Sequence, residues 1–525
     1  MPSRRAPTAA VAIALGTLSL PALPGTASPP YVLLTQDGDG RPAALARVIL
    51  DGTDAPCPRL LPADSGDAQQ DHERASSAHA GPASGVRPMT PRENPDPAHF
   101  PITVCEARYP TDGTRLVIAG PDGAADTGGP GLPLPAVPAR VGRVAVIGDT
   151  GCSPSEQGGC TDPAQWPFAE LADAIASAEP APDLILHVGD YNYRGTPGKI
   201  ELREPGGATT TVKVYDAGDN APGSSCRLAG PYEGQNSAGS LMPDTWGPWR
   251  DDFFTPAAKL LSRAPWIFAR GNHELCSRAG PGWLYLLDAG SPLVPGSAQV
   301  QCPPAESAEP LVFRPPYRVD VGGLSLIVLD SANACDAGDL HQAHFDTELA
   351  EVKHLVENGP AGHAVWLVSH RPIWGVQQPW NAKPIDGIDP YDFIDRTLQS
   401  AFDDHPPPRP LHLVMSGHMH LFQALRLDPA YGRPTQLILG NGGVALEDPY
   451  PREPFAVPAG DGSNADGLAL KQFGYLLLDL DAGRDWTARL LGTGGTLLAR
   501  CAAGSHAKSG PCIPAGTPAP PPTAD

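Results

Sequence analysis

The residues LILHVGDYNYRG, Leu184–Gly195, run from an apolar stretch into a glycine, an aspartate and two tyrosines. The apolar stretch is typical of a strand that is buried on both faces of a sheet. Asp190 and Tyr193 follow where this strand should end, and functional side chains of α/β proteins gather at such ends. A carboxylate and a phenol at this spacing therefore indicate a site.

Strand-like and helix-like patterns alternate from about residue 141 onward. The segment FAELADAIASA, 168–178, has one apolar helical face, and a second segment, 341–358, has the same period. Strand, helix and strand in turn predict an α/β sandwich with its helices outside. The predicted buried strands lie within the runs 143–149, 184–190, 265–273, 324–330, 363–370, 412–418, 436–442 and 473–481.

The part of the chain before this pattern lacks the alternation of strands and helices. Short β-like runs such as YVLLTQ and ITVCEARYP predict a small β-rich N-terminal unit, 29–138, and a proline-rich linker closes it. The main domain is predicted over 139–503, and the proline-rich tail, 504–525, is predicted to be disordered. The segment from about Gly195 to Pro248 has no clear period and is predicted to be a long loop.

The N-terminus and the cysteines both indicate export. Arg4 and Arg5 precede an apolar run and then small residues, which predicts a signal peptide over 1–28 and a periplasmic or secreted protein. Ten cysteines suit an oxidising compartment. Close spacing predicts the disulfides Cys152–Cys160 and Cys501–Cys512, and Cys57–Cys105 is a further candidate pair across the N-terminal region. The pairing among Cys226, Cys276, Cys302 and Cys335 stays open.

The charge of the chain restricts its partners. With 37 Lys and Arg against 58 Asp and Glu, the net charge is -21, so the protein as a whole repels nucleic acid and anionic membranes. No stretch after the N-terminus predicts stable membrane insertion. An anionic substrate would need a local positive feature, and bound metal is the obvious one.

Five predicted strand ends carry side chains of the metal-ligand type. Carboxylate, imidazole, amide and phenolate together suit iron, manganese or zinc, and a shared carboxylate can hold two ions close together. The candidate ligands are Asp149 in GDTG, Asp190 and Tyr193 in GDYNY, Asn272 in GNHE, His370 in SHRP, and His418 and His420 in GHMH.

These five motifs, in this order, resemble those of the calcineurin-like metallophosphoesterases over about residues 140–445. The GD-x-x-Y spacing is similar to that of purple acid phosphatases, in which the tyrosine binds ferric iron and gives the colour. The resemblance implies an αββα metallophosphoesterase sandwich and a hydrolase acting on phosphoric ester bonds. Tyr191, two residues before Tyr193, is predicted to pack in the core.

The resemblance also implies a role for each motif residue. Asp149, Tyr193 and His420 would bind Fe(III), Asp190 would bridge, and Asn272, His370 and His418 would bind a divalent Fe, Zn or Mn ion. A metal-bound hydroxide would attack phosphorus. His273 would act beside the leaving group as hydrogen-bond donor or general acid.

Several alternatives remain open at this point. No further histidine follows His370 in HRPIWGVQQPW, so protonation of the leaving group rests on His273 or needs no acid. Arg371 either binds the substrate phosphate or forms a structural ion pair. The leading hypothesis is an exported two-metal enzyme that hydrolyses small phosphate monoesters. The alternatives are a phosphodiesterase or nucleotide hydrolase, a non-catalytic metal-binding surface protein, and a separate binding module in the N-terminal unit; the oligomeric state is unknown.

Overall fold

A computed structural model of the 525-residue chain provides the structure. It describes residues 25–63, 86–120, 131–154, 156–194, 200–203, 209–212, 244–276, 278–303, 311–336, 341–377, 392–405, 411–427, 433–449, 454–458, 464–481, 485–503 and 510–517. Residues 1–24 of the predicted signal peptide, 1–28, lie outside the described residues.

Strands dominate the described part of the chain. The N-terminal strands are β1 Thr26–Gln36, β2 Pro42–Asp51, β3 Arg59–Pro62, β4 Arg87–Pro88, β5 Thr90–Pro91, β6 Ile102–Tyr109, β7 Leu116–Ala119 and β8 Leu132–Pro133. The later strands are β9 Arg143–Ile147, β10 Leu184–His187, β11 Ile200–Arg203, β12 Thr209–Val212, β13 Trp266–Phe268, β14 Tyr317–Val321, β15 Leu324–Val328, β16 Ala364–Val368, β17 Gly375–Gln377, β18 Asp392–Ile394, β19 Leu411–Ser416, β20 Phe422–Arg426, β21 Thr435–Leu439, β22 Phe455–Pro458, β23 Asn464–Leu470, β24 Tyr475–Leu480, β25 Trp486–Leu491, β26 Leu497–Ala502 and β27 Cys512–Pro514.

Helices connect the strands of the main domain. The α-helices are α1 Phe168–Ala176, α2 Trp246–Trp249, α3 Ala258–Leu261, α4 Gly280–Leu286, α5 Gln342–Glu357 and α6 Arg396–Asp404. Helix α2 continues into a π-helical turn, Arg250–Phe254, and 3₁₀ turns form at Asn272–Glu274 and Thr493–Gly495. The two helices predicted from the apolar period therefore form as α1 and α5.

Two large sheets carry the architecture. Over the described residues, the first has the order β27-β26-β25-β24-β9-β10-β13-β1-β2-β6-β5, and the second has the order β14-β15-β16-β19-β21-β20-β23-β22. Strands β9, β10 and β13 are parallel neighbours, as are β15, β16, β19 and β21. Parallel neighbours end at the same edge, so the loops after these strands meet there.

Alternate residues of each strand enter different layers. Val144 and Val146 of β9 belong to the core shared by the two sheets, whereas Ala145 and Ile147 belong to the core under α1. A third core packs β15, β16 and β19 against α5 and α6. The predicted α/β fold, a β-sandwich flanked by helices with a β-rich N-terminal unit, is thereby confirmed.

The N-terminal strands extend the first sheet. Strand β1 pairs in parallel with β13, and β2 and β6 continue the sheet outward. A buried charge cluster lies where these strands meet the main domain. Glu106 Oε2 accepts hydrogen bonds from Arg47 at 3.1 Å and Arg92 at 2.7 Å. Arg47 also donates to the Leu286 carbonyl at 2.8 Å. The domain boundary near residue 138 stays a prediction.

Disulfides close several loops. The structure contains the two pairs predicted from close spacing, Cys152–Cys160 and Cys501–Cys512, and the candidate pair Cys57–Cys105. It also pairs Cys276 with Cys302, which the sequence left open, and Cys335 is disulfide-bonded as well. Cys226 lies outside the described residues.

Two expectations about loops need correction where the structure describes them. Within the tail predicted to be disordered, β27 pairs with β26, and the disulfide between Cys501 and Cys512 holds it there. Residues 504–509 and 518–525 lie outside the described residues. Within the predicted long loop, β11 and β12 form a hairpin.

None of the helices in the described ranges has both the length and the apolar character that crossing a membrane requires.

Candidate metal centre

The candidate ligands lie in the loops directly after five parallel strands. Asp149 follows β9, Asp190 follows β10, and Asn272 follows β13. His370 follows β16 and His418 follows β19 in the second sheet, so both sheets contribute to one edge of the sandwich. Each strand is anchored in the apolar cores, which fixes where its last side chain lies.

One group of ligands surrounds the phenol of Tyr193. Its hydroxyl lies 3.2 Å from Asp149 Oδ1, 3.0 Å from Asp190 Oδ2 and 3.2 Å from His420 Nε2. One ligand atom each from Asp149, Asp190 and His420 lies within 4.8 Å of the others. The side chains of Asp149, Asp190 and Tyr193 are buried, and that of His420 is partly exposed.

A second group surrounds the amide oxygen of Asn272. Asn272 Oδ1 lies 2.7 Å from His370 Nε2 and 3.0 Å from His418 Nδ1. His370 Nε2 is also 3.3 Å from Asp190 Oδ2. Asp190 therefore contacts both groups through one carboxylate oxygen.

The hydrogen bonds of His370 show that this donor set fits a cation. His370 Nδ1 lies 2.8 Å from the Val188 carbonyl, which accepts only if Nδ1 carries the hydrogen. In the neutral ring Nε2 then presents a lone pair to the oxygen of Asn272, and a cation beside both atoms would attract the two lone pairs. Ligands at right angles around an ion with bonds of about 2.1 Å are themselves about 3 Å apart. The separations in both groups have this size.

Backbone strain concentrates at the same residues. Of the residues that the structure describes, four other than glycine have positive φ: Asp149 at 54°, Asp190 at 59°, His418 at 73° and His341 at 64°. Such conformations cost about 1–3 kcal/mol each and persist where the surroundings impose them, often at functional sites. Three of the four are candidate ligands.

The two carboxylates at the centre have opposite electrostatic environments. Burial, and then the negative charge of Asp190, raise the pKa of Asp149 well above its usual value. Burial alone would also raise the pKa of Asp190, but His370 and His273 outweigh it and hold that pKa below its usual value. Two carboxylates this close and this buried favour the binding of a positive ion.

His273 lies beside the first group of ligands. Its backbone N–H donates to Asp190 Oδ1 at 3.0 Å, and its ring centroid is 4.0 Å from that of Tyr193. The side chain is 4% exposed. The imidazole of His273 therefore lies next to the first group of candidate ligands.

Tyr191 packs in the core, away from this centre. Residues two apart in an extended strand lie on the same face, but the backbone turns just before Tyr191, at Asp190, whose φ is 59°. Its ring stacks on His187 with centroids 3.9 Å apart, and its hydroxyl donates to the Ala269 carbonyl at 2.9 Å. The two tyrosines of the quoted stretch thus lie in different environments, one in the core under the sheet and one among the ligands.

Arg371 lies in the interior, paired with a residue that the sequence did not single out. Its Nη1 donates to Asp336 Oδ1 at 2.7 Å and lies 2.8 Å from His418 Nε2. Asp336 Oδ2 lies 2.9 Å from the same His418 nitrogen. Burial alone would raise the pKa of Asp336, but His418 and Arg371 lower it to about 2. Asp336 was missed because it follows no glycine-flanked strand end.

Glu274 of the GNHE motif holds two of the ligand loops together. Its carboxylate accepts backbone N–H bonds from Asp190 at 3.1 Å, Tyr191 at 2.9 Å, Asn192 at 3.3 Å and Gly271 at 3.0 Å. The side chain is fully buried. Burial and Asp190 raise the pKa of Glu274, and the backbone N–H groups oppose that rise.

We expect the Glu274→Gln variant to be less stable by about 2–6 kcal/mol, because each buried N–H that loses its acceptor costs about 1–3 kcal/mol. The amide keeps the shape of the carboxylate, but its NH₂ group faces two backbone donors. Urea unfolding would measure the difference. Glu170→Gln is the control, since Glu170 accepts one bond, from Gly494 N at 2.7 Å, at an exposed position. Equal stability of the two variants would contradict the expectation.

A family model for calcineurin-like phosphoesterases matches residues 142–422 of the chain. Among solved structures, the chain is similar to the purple acid phosphatase PPD1 isolated from yellow lupin (Lupinus luteus) seeds, with 13% identity, a TM-score of 0.48, and coverage of 91% of this chain and 74% of that one. It is also similar to GAP50, the anchor in the inner membrane complex of Plasmodium, with 11% identity, a TM-score of 0.30, and coverage of 68% and 87%. No curated protein matches the chain. The region matched by the family model contains both ligand groups.

Proposed function

The chain belongs to the calcineurin-like phosphoesterase family and is a hydrolase acting on phosphoric esters, and we propose that it is an exported phosphomonoesterase with two metal ions. The position of Asp190 carries the proposal, since Asp190 Oδ2 lies 3.0 Å from Tyr193 in one group and 3.3 Å from His370 in the other. A shared carboxylate is what a centre of two ions needs. The disulfides of the described residues support export.

We assign the two groups to two ions. Tyr193, Asp149 and His420 would hold Fe(III), for which a phenolate and a carboxylate are suitable hard ligands. Asn272, His370 and His418 would hold a divalent Fe, Zn or Mn ion, and Asp190 would be shared. When bound, the ions would lower the pKa of a water molecule and neutralise phosphoryl oxygens, which supplies the nucleophile and the attraction for an anion.

The chain's own residues orient the ligands and handle the leaving group. The Val188 carbonyl holds His370 with Nε2 toward the centre, and the backbone N–H of His418 donates to the Asp149 carboxylate at 3.0 Å. His273, beside Tyr193, would donate a hydrogen bond or a proton to the leaving oxygen. Small phosphate monoesters are the proposed substrates.

Hydrolysis of an aryl phosphate monoester and of the matching diester tests the proposal. The mature protein should be assayed with both from acid to neutral pH, with its metal content measured on the same sample. A preference for the monoester, together with two ions per chain, would support it. A preference for the diester would favour the phosphodiesterase alternative, and no metal-dependent turnover of either ester would favour a non-catalytic metal-binding protein.

We expect Tyr193→Phe to remove the visible absorption that a phenolate ligand gives to Fe(III), and to weaken iron binding. The variant keeps the ring but removes the oxygen that lies 3.0–3.2 Å from three other ligands. Absorption spectra and iron analysis would measure the loss. Tyr191→Phe is the matched control, because that hydroxyl contacts the Ala269 carbonyl instead. A wild-type protein that is iron-free and colourless would overturn the assignment of iron.

A further inference from the structure

Asp336 and Arg371 form a buried pair directly behind a candidate ligand. The Arg371 side chain is 0% exposed and that of Asp336 is 4% exposed. The two oxygens of Asp336 have different partners, since Oδ1 accepts from Arg371 Nη1 at 2.7 Å and Oδ2 lies 2.9 Å from His418 Nε2. The pair therefore reaches His418 on the side away from Asn272.

The two nitrogens of His418 face opposite partners. Nδ1 lies 3.0 Å from Asn272 Oδ1, within the second ligand group. Nε2 lies 2.9 Å from Asp336 Oδ2 and 2.8 Å from Arg371 Nη1. A nitrogen that binds a cation carries no hydrogen, so the hydrogen of the neutral ring must then lie on Nε2. Of the two groups beside Nε2, Asp336 Oδ2 is the acceptor for this hydrogen, because the guanidinium of Arg371 can only donate.

Asp336 itself is fixed by its neighbours along the chain. Its carbonyl accepts the backbone N–H of Arg396 at 3.0 Å, and the Cys335 carbonyl accepts that of Thr397 at 3.3 Å. Cys335 is also disulfide-bonded. The start of α6 and a disulfide thus hold the loop from which Asp336 reaches His418.

We propose that Asp336, held and neutralised by Arg371, is the positioning residue that presents His418 Nδ1 to the divalent ion. This inference rests on the proposed function. It gives Arg371 the structural role among the two that the sequence allowed, because its buried guanidinium donates to Asp336. Carboxylates that accept the second N–H of a histidine ligand fix its orientation and raise its basicity.

The Asp336→Asn variant tests the proposal. Asparagine has one acceptor oxygen, so it cannot serve both the Nε2–H of His418 and the N–H of Arg371, and it lacks the charge that raises ligand basicity. We expect the affinity for the divalent ion to fall by about 10–100-fold. Titration of the protein with Zn²⁺ or Mn²⁺ after mild chelation would measure it, and the visible absorption of the tyrosinate–iron group should persist because Tyr193 is untouched.

Arg371→Met and Arg371→Lys distinguish positioning from substrate binding. Under the proposal, Arg371→Met also weakens the binding of the divalent ion. Arg371→Lys restores part of that affinity because it keeps a positive charge beside Asp336. If Arg371 binds phosphate instead, Arg371→Met would raise KM about tenfold or more while both ions bind as in the wild type. That result would overturn the proposal.

A matched control separates positioning from general loss of stability. Glu106→Gln alters a buried carboxylate that also contacts guanidinium groups, those of Arg47 and Arg92, and belongs to the N-terminal strands. It should lower the unfolding temperature without changing metal affinity. If the Asp336→Asn variant binds the divalent ion with wild-type affinity, the positioning role of Asp336 is contradicted. If the wild-type protein binds fewer than two ions, the proposed function is contradicted instead, so the two failures are distinguishable.

Discussion

Replacing Asp190 by asparagine is expected to lower kcat/KM for an aryl phosphate about 1,000-fold or more. Metal ions contribute several kcal/mol to stabilising phosphoryl transition states, and each 1.36 kcal/mol corresponds to tenfold in rate. Asp190 contacts both ligand groups, at Tyr193 and at His370, so its loss affects both ions. No other candidate ligand occupies such a position among the described residues.

The orientation of the new amide explains why an isosteric change should be this severe. Asp190 Oδ1 accepts the backbone N–H of His273 at 3.0 Å, so asparagine would keep its oxygen there. Its NH₂ group would then take the place of Oδ2, between Tyr193 and His370. An amide NH₂ group does not bind a cation, and both ions would lose their shared ligand.

Steady-state kinetics and metal analysis of purified Asp190→Asn would check this expectation. Asp183→Asn is the matched control, because Asp183 directly precedes β10 whereas Asp190 follows it. Asp183 Oδ2 accepts backbone N–H bonds from Gly142 at 2.8 Å and Arg143 at 2.9 Å, and an amide oxygen can accept both. The control should keep the activity and metal content of the wild type. Turnover near the wild-type rate in Asp190→Asn would exclude the two-metal centre as proposed.

The positions of the candidate ligands could be predicted because local and global signals agree. Apolar runs that end in glycine and a polar residue predict buried strands and their ends, and parallel strands bring those ends to one edge. The sequence alone therefore predicts one shared edge for Asp149, Asp190, Asn272, His370 and His418. This prediction needs only the direction of each strand and the residue after it.

The partners of those ligands could not be predicted in the same way. Asp336 lies in a loop after β15 and contacts His418, 82 residues away, which no local pattern encodes. The sequence allows Arg371 either to bind phosphate or to form an ion pair, and no local pattern encodes its contact with Asp336. The pairing of β1 with β13 is likewise a long-range contact between two apolar strands, and alternation alone does not specify which strands are neighbours.

The side chain of His273 accounts for the second large effect that we expect. It is the histidine of GNHE, directly after the ligand Asn272, and its ring lies 4.0 Å from that of Tyr193. No histidine follows His370 in HRPIWGVQQPW that could also protonate the leaving group. Protonation of a poor leaving group should therefore depend on His273, and a general acid contributes about 100–10,000-fold.

We expect His273→Gln to slow hydrolysis of an alkyl phosphate by about 100–10,000-fold and that of an activated aryl phosphate much less, because a phenolate with a low pKa leaves without a proton. The ratio of kcat/KM for the two esters is the measurement. His363→Gln is the control, since His363 precedes β16, at the end of the strand opposite His370, and contacts Ser325 at 3.0 Å. Equal losses on both esters would show that His273 orients the site without donating a proton. No loss on either would place the leaving group elsewhere.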